Sequence, residues 1–319
     1  MDLAALQARA ASTTFMASDA VPILHGRTLY LDGDGLAYYC AGNDETTVAE
    51  ARSRVSEKVE GMRRASGAGK VTILLTGSGG HKGHRYAVAR VKPYQGQRAN
   101  SRRPKNWQAL REMLEQGLFG DEVKTFHDRE ADDAFGQYGH ADPANTVHGT
   151  QDKDMRMVPG WHIDWKDNRM FYLPPDAYEA TFNDKLYGLK WFWSQMLQGD
   201  TADFIPGLPK AYGKLCGEVG AAKILAGTSN NAEAANAVAH AYKSHYAERW
   251  LTEMLEQAVL LWMRRGPRAD WFDCAAIGGP LYVFHELPEH HAAWKELSER
   301  IDYALELNAL AISVQAEAV

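Results

Sequence analysis

Cysteine is scarce in this chain: Cys40, Cys216 and Cys274 are the three among 319 residues, far apart and in no C-x-x-C pair. An odd, scattered set excludes a disulfide framework and a structural zinc site, and it points to a reducing compartment. Long apolar runs are missing too, since no window approaches the ~18 residues that a bilayer span requires. The opening "MDLAALQARAASTTF" holds no extended apolar stretch of the secretion-signal kind. A soluble, cytoplasmic chain that needs no membrane is expected. Repeats and low-complexity tracts are absent, the histidines show no ligand spacing, and no G-x-S-x-G elbow occurs. "SGAGKVT" echoes a phosphate loop, but Arg64 stands at the required first glycine and Val71 at the Ser/Thr, and the stretch precedes a strand instead of following one.

A further absence is local. From Gly61 to Arg111 there is no Asp or Glu, while twelve basic residues occur: Arg63, Arg64, Lys70, Lys82, Arg85, Arg90, Lys92, Arg98, Arg102, Arg103, Lys105 and Arg111. The net charge of −6 argues against a nucleic-acid partner, and this window argues for one. Tyr86, Tyr94 and Trp107 fall inside it, side chains on which an unpaired base can stack. The plain alternative is a solvated surface.

With 45% apolar residues the chain can fill a core of its own. "RTLYLDGDG" and "VTILLTGSGG" each read as a buried strand, Thr28 to Leu31 and Val71 to Leu75, breaking into a turn. Two more strands are expected near Val123 to Phe126 and in "ANTVHGTQDKD", with helices such as Val48 to Met62 and Asn106 to Leu118 between them. Alternation of this kind predicts an open, mostly parallel α/β sheet flanked by helices. After about Asp184 the texture turns helical, with a run from Ala232 to roughly Arg264 and a last pattern from Ala292 to Leu310. The expected division is residues 1–183 for the α/β domain and 184–319 for a helical region with a C-terminal tail.

In such sheets ligands gather beyond the carboxyl ends of the strands. Asp32 and Asp34, then Glu130, Asp132 and Asp133, then Asp152 and Asp154 fall at those ends, and "QGDTADFIPGLP" adds Asp200 and Asp203. Each cluster alone is explained by turns, helix dipoles or caps. Together, apposed carboxylates without a cation would be driven to protonate. All-oxygen donors suit Mg²⁺ or Mn²⁺, and two such ions ~4 Å apart can clamp the attacking and leaving oxygens of a phosphodiester.

"EADD" (Glu130 to Asp133), "QDKD" (Gln151 to Asp154) and "GDTADFIPGLP" (Gly199 to Pro209), with "YLDGDG" at the front, resemble the 5′-nuclease superfamily of flap endonucleases and 5′–3′ exonucleases. The likeness spans roughly residues 27 to 265 and is strongest to the stand-alone bacteriophage enzymes. It implies a PIN-like domain, a helix–three-turn–helix DNA-binding element, a monomer acting on duplex DNA with a free 5′ end or flap, or on an RNA–DNA hybrid, and a host-cell cytoplasmic home if phage-encoded. Two Mg²⁺ ions, replaceable by Mn²⁺, are implied: Asp32, Glu130 and Asp132 match the ligands of one, and Asp152, Asp154, Asp200 and Asp203 match the acids around the other. Asp133 matches the remaining acid of its motif, and Asp34 has no counterpart in much of the family.

The basic window then corresponds to a helical arch, about residues 77–111. Arg85 and "YQGQR" (Tyr94 to Arg98) resemble the arginine and basic motif that steer the scissile phosphate, which gives catalytic roles to Arg85, Lys92 and Arg98. Lys82, Tyr94, Gln95, Arg102 and Arg103 become DNA contacts. "CGEVGAAKIL" supplies Gly217, Gly220 and Lys223 for a glycine hairpin that grips duplex phosphates with K⁺, although "LPKAYGKLC" stretches the element. Two departures stand out. Gln95 replaces the family lysine, and "LLTGSGG" lacks the aspartate expected after the second strand, a ligand for which Asp34 or water is the expected substitute. Lys153 is expected to point away from the ions. A non-catalytic, structure-specific DNA-binding protein of the same fold is the alternative, and a small α/β ribonuclease a third reading that lacks the arch and the "GDTADFIPG" element.

Overall fold

The computed structural model describes residues 21–77, 82–97, 102–209, 216–266, 273–276 and 279–317. They divide into two compact units: the first holds residues 21–77, 102–126 and 130–176, and the second holds 82–97, 127–129 and 177–317. The division falls at 176/177, and part of the basic window, 82–97, groups with the second unit.

The first unit is built on six strands, β1 (Leu24–Asp32), β2 (Ala68–Thr76), β3 (Glu122–Phe126), β4 (Thr146–Gly149), β5 (Gly160–Ile163) and β6 (Met170–Leu173). Their order is β3-β2-β1-β4-β5-β6, parallel except for the antiparallel β5–β6 pair. Alternation along β1 separates two faces. Leu29 and Leu31 enter a core with Leu36, Val55, Leu110, Leu114 and Trp165, contributed by α1 (Gly33–Cys40), α2 (Val48–Ser66), α4 (Trp107–Glu115) and the turn after β5. Tyr30 faces the other way and stacks on Tyr138 of α5 (Ala131–Ala141), centroids 4.2 Å apart.

Local chemistry sets the ends of these elements. Thr47 and Glu50 close a reciprocal capping box on α2, and Gly67 ends it in the left-handed region at φ 63°. Gly33 lets α1 lie against β2, since a Cβ there would sit 2.8 Å from Ile73 Cγ2 and 3.0 Å from the Leu74 carbonyl. β5 and β6, which no sequence signal announced, are joined by a turn in which Asn168 takes φ 57°.

In the second unit Arg85–Val88 forms a single helical turn, α3. The hairpin β7 (Ala180–Phe182) and β8 (Lys185–Tyr187) turns on Asn183 and Asp184, both left-handed at φ 49° and 58°. Helices α6 (Leu189–Gln198), α7 (Glu218–Ile224), α8 (Asn231–Tyr246), α9 (Trp250–Leu261) and α10 (Pro288–Glu317) follow. The run expected from Ala232 to Arg264 is broken at Ala247, φ 50°, and the last helix is longer than its pattern suggested. No described helix is long and apolar enough to cross a membrane. The three cysteines are buried, with no disulfide among the described residues.

Candidate metal centre and nucleic-acid interface

Because β1, β2, β3 and β4 run parallel, the residues that follow them share one rim of the first unit's sheet. Asp32 ends β1 and caps α1, its Oδ1 accepting from Gly35 N–H at 2.8 Å. Asp152 caps the single turn Lys153–Met157 after β4, its Oδ1 accepting from Asp154 N–H at 2.8 Å. Thr150 ties these two acids together: its hydroxyl donates to Asp32 Oδ2 at 3.3 Å and accepts from Asp152 N–H at 3.0 Å. Glu130 stands at the N-terminal boundary of α5 without a side-chain capping hydrogen bond, and Asp132 and Asp133 lie in the helix's first turn. Glu130, Asp133 and Asp154 are buried, at 5%, 0% and 4% exposure. Oxygen donors of this kind, with no sulfur or imidazole among them, suit a hard cation.

Two expectations about this rim are corrected. Lys153 does not point away; its Nζ lies 3.2 Å from Asp154 Oδ1. Asp34 is engaged on both oxygens, by the Arg111 guanidinium and by Thr76 N–H at 3.0 Å. Arg111 also donates to the Thr76 carbonyl at 2.6 Å, and Thr76 Oγ1 accepts from Ala131 N–H at 3.1 Å. Thr76, at the end of β2 where the aspartate is missing, is thus a knot joining α1, α4 and α5. Asp34 belongs to that knot, which gives it a structural role in place of the substitute ligand. Thr150, Thr76 and Arg111 went unread as site residues; the T-x-D spacing of Thr150 and Asp152 was the available signal.

The second unit carries Asp200 and Asp203 on a pinched loop. Asp200 and Ile205 exchange both backbone hydrogen bonds at 2.8 Å, and Gly199 and Gly207, at φ 72° and 61°, let the strands of the loop touch backbone to backbone. Asp203 is held by the basic segment: Tyr94 OH donates to Oδ2 at 2.9 Å and Gln95 Nε2 to Oδ1 at 2.8 Å, while Gln95 N–H donates to the Asp203 carbonyl at 3.0 Å. Tyr94, expected as a stacking surface, is 8% exposed and committed to this contact. Arg85, expected to meet a phosphate, is 1% exposed. Lys92 is exposed, its Nζ 4.8 Å above the Phe204 ring.

Lys82 is half-buried and left-handed at φ 50°. Arg98 lies outside the described residues. In the first unit Arg102 is exposed and paired with Asp44 at 3.3 Å, and Arg103 lies 4.2 Å over Trp107. Gly217 caps α7 and is exposed; Gly220 and exposed Lys223 lie on the same helix.

The mostly parallel sheet flanked by helices, with the helical second half, matches a PIN-like nuclease fold. Two solved structures of bacteriophage T5 D15 are similar to it. One, the D15 protein co-crystallised with metal ions, shares 14% identity over 89% of this chain and 99% of its own, with a TM-score of 0.50. The other, a D15 flap endonuclease pseudo-enzyme–product complex with DNA and metal ions, shares 15% over the same proportions, with a TM-score of 0.51. No family model matches the chain, and no curated protein matches it.

Proposed function

We propose that the chain is a metal-dependent, structure-specific nuclease that hydrolyses DNA phosphodiesters from a 5′ end or 5′ flap. The observation that supports this best is the rim of the first unit, where Asp32, the Glu130–Asp133 group and Asp152–Asp154 follow the ends of parallel strands in a fold shared with a flap endonuclease. In this reading Asp32, Glu130 and Asp132 hold one divalent ion, with Asp133 beside them. Asp152, Asp154, Asp200 and Asp203 hold a second. Two bound Mg²⁺ or Mn²⁺ ions supply Lewis-acid stabilisation of the phosphodiester. The chain's own work is to hold carboxylates of that set in place, through the Thr150, Gly35 and Gln95 contacts, and to offer cations to the DNA backbone. Lys92, Lys82, Arg98, Arg102 and Arg103 are proposed for that second task, with Gly217, Gly220 and Lys223 at the duplex and K⁺ beside them. Arg85 is proposed to serve the scissile phosphate, although its side chain is 1% exposed.

The test is cleavage of a labelled 5′-flap duplex with Mg²⁺. Loss in Asp152→Asn and Asp200→Asn, with folding intact, is the expected outcome; full activity in both overturns the assignment. One observation favours a second reading, a non-catalytic binder of branched DNA: the β2 end carries Thr76 in place of an acid, and Asp34 is tied to Arg111. That reading requires tight flap binding and no product at any Mg²⁺ or Mn²⁺ concentration.

A further inference from the structure

The segment 82–97 holds an improbable backbone. Lys82, His84 and Gln95 lie in the left-handed region at φ 50°, 57° and 52°, and Phe204, next to Asp203, at 63°. Non-glycine residues stay there only where surrounding contacts over-determine them. Asp203 holds Gln95, and α9 and α10 hold the backbone of the same segment at Gly83, Val88, Arg90 and Val91. Glu256 of α9, 3% exposed, accepts through Oε1 from the N–H groups of Arg90 at 2.8 Å and Val91 at 2.9 Å. Arg300 of α10, 4% exposed, meets the other oxygen of Glu256 at 2.5 Å and donates to the Val88 carbonyl at 2.5 Å. Farther along α10, Asn308 donates to the Gly83 carbonyl at 3.2 Å, and on the surface Glu296 pairs with Arg90 at 3.2 Å.

The residue after Glu256 completes the pattern. Gln257, fully buried, accepts from Gly207 N–H at 2.7 Å. Successive residues of one helix therefore hold the two backbones that meet at Asp203: the segment that ends in Tyr94 and Gln95, and the Gly199–Gly207 loop. Lys92, Tyr94, Asp203, Glu256 and Gln257 line one small cleft.

We infer that Glu256 and Arg300 are a positioning pair through which the C-terminal helix sets segment 82–97, and with it the carboxylate of Asp203, for catalysis. The pair has this role only if the chain is the nuclease proposed above. A buried Glu–Arg pair does little for net stability compared with apolar packing, but breaking it from one side leaves an uncompensated charge. In Arg300→Met the stranded Glu256 carboxyl draws water or a proton and releases the Arg90 and Val91 N–H groups. Glu256→Gln keeps one acceptor for those groups but turns an NH2 donor toward the Arg300 guanidinium, so it loses the charge and the Arg300 hydrogen bond while the main-chain contact remains.

The experiment is steady-state cleavage of a 5′-flap duplex, with flap binding measured separately in Ca²⁺ and hydrogen exchange followed over residues 86–95. Arg300→Met is expected to lower kcat by roughly 100-fold, the effect of a misplacement near 1 Å, and to change flap binding by less than about threefold. Glu256→Gln is expected to lose about fivefold in kcat with the same binding, and Glu296→Ala, which removes only the surface contact of the same helix, to lose less than about twofold. Hydrogen exchange at 86–95 accelerates in Arg300→Met and stays slow in Glu296→Ala. A folded Arg300→Met with kcat within twofold of the parent, or a Glu296→Ala loss as large as that of Arg300→Met, overturns the positioning role while leaving the nuclease reading intact. If Arg300→Met does not fold, Glu256→Gln decides alone, and an unchanged kcat overturns the role. A parent protein that cuts no flap in Mg²⁺ or Mn²⁺ overturns the nuclease reading and the positioning role together.

Discussion

The acid-rich rim of the first unit and the acid-free window from Gly61 to Arg111 are opposite in charge, and they differ more in how their charge is held. The rim's carboxylates stand where strand ends put them, several of them buried together. Several of the window's cations are answered by acids from elsewhere in the chain. Arg63 pairs with Asp121 at 3.5 Å, Lys70 with Glu122 at 2.8 Å, Arg90 with Glu296 at 3.2 Å and Arg102 with Asp44 at 3.3 Å, while Arg111 is buried on Asp34. A stretch free of acid in sequence is therefore not free of acid in space. The exposed pairs are weak and can be exchanged for phosphates at little cost; the buried one cannot.

The largest effect separates the two regions by function. Asp152→Asn keeps an acceptor for Asp154 N–H and removes one charge from the rim, so folding should be preserved or improved. Flap cleavage should fall by on the order of 10³-fold, the several kcal/mol that metal-ion charge stabilisation supplies. Thermal melting beside single-turnover cleavage checks both halves; a drop in melting temperature equal to that of a core mutation would make the aspartate structural.

The sheet that carries the rim has its own acid weakness, which the second unit does not share through the same groups. His148 on β4 and His162 on β5 are buried neutral rings, each sharing a hydrogen bond of 2.8 Å with a carbonyl, Pro159 and Val158 respectively. Burial pushes His148 down to about 4 and His162 down to about 3, the latter helped by its neighbour. Both folded values lie below the ordinary 6.5, so the unfolded chain takes up protons first as pH falls. Their stabilising effect is complete above about 6.5 and is lost between there and about 3, at on the order of 3 kcal/mol per ring. Hydrogen exchange between pH 7 and pH 4 should therefore accelerate in β4 and β5 before it does in α8 and α9. Equal acceleration in both units would remove the histidines as the cause.

Much of this rim was legible because the signals are local. Apolar runs such as "TLYL" and "TILL" ending in glycine or aspartate mark a parallel strand and its carboxyl end, and parallel strands oblige their following acids to share a side. β5 and β6 were not legible: His162, Trp161 and Asp164 break the apolar texture of "GWHIDW", and pairing with β4 and β6 makes it a strand. The break at Ala247 carries neither glycine nor proline. Tyr94 looked like an exposed stacking ring because nothing within "YQGQR" reveals that Asp203, more than one hundred positions later, accepts its hydroxyl. Long-range polar partners leave no periodicity.

Arg111 and Asp34 sharpen the contrast at intermediate size. Arg111→Met removes a 6% exposed side chain from a carboxylate that is itself about a third open to water, and frees the Thr76 carbonyl. A destabilisation of about 2 kcal/mol is expected, below the full cost of a buried pair because solvent screens the aspartate. Asp34→Asn should lose a similar amount while the Mg²⁺ dependence of cleavage stays unchanged. A shifted metal requirement in Asp34→Asn would return that residue to the ligand set.

Arg102 is the smallest case. Its side chain is 82% exposed and that of its partner Asp44 70%, so Arg102→Ala should alter stability by no more than a few tenths of a kcal/mol. If the exposed cations of the window are exchangeable for phosphates, the same substitution should weaken flap binding about equally for all sequences and reduce the slope of log affinity against log salt by about one unit. Arg111→Met, though far more harmful to folding, should leave that slope where it was. Equal slopes in the parent and Arg102→Ala would mean that the window's surface charge serves its own acids alone, and the DNA track would have to be sought among Lys92, Lys223 and the residues around Gly217.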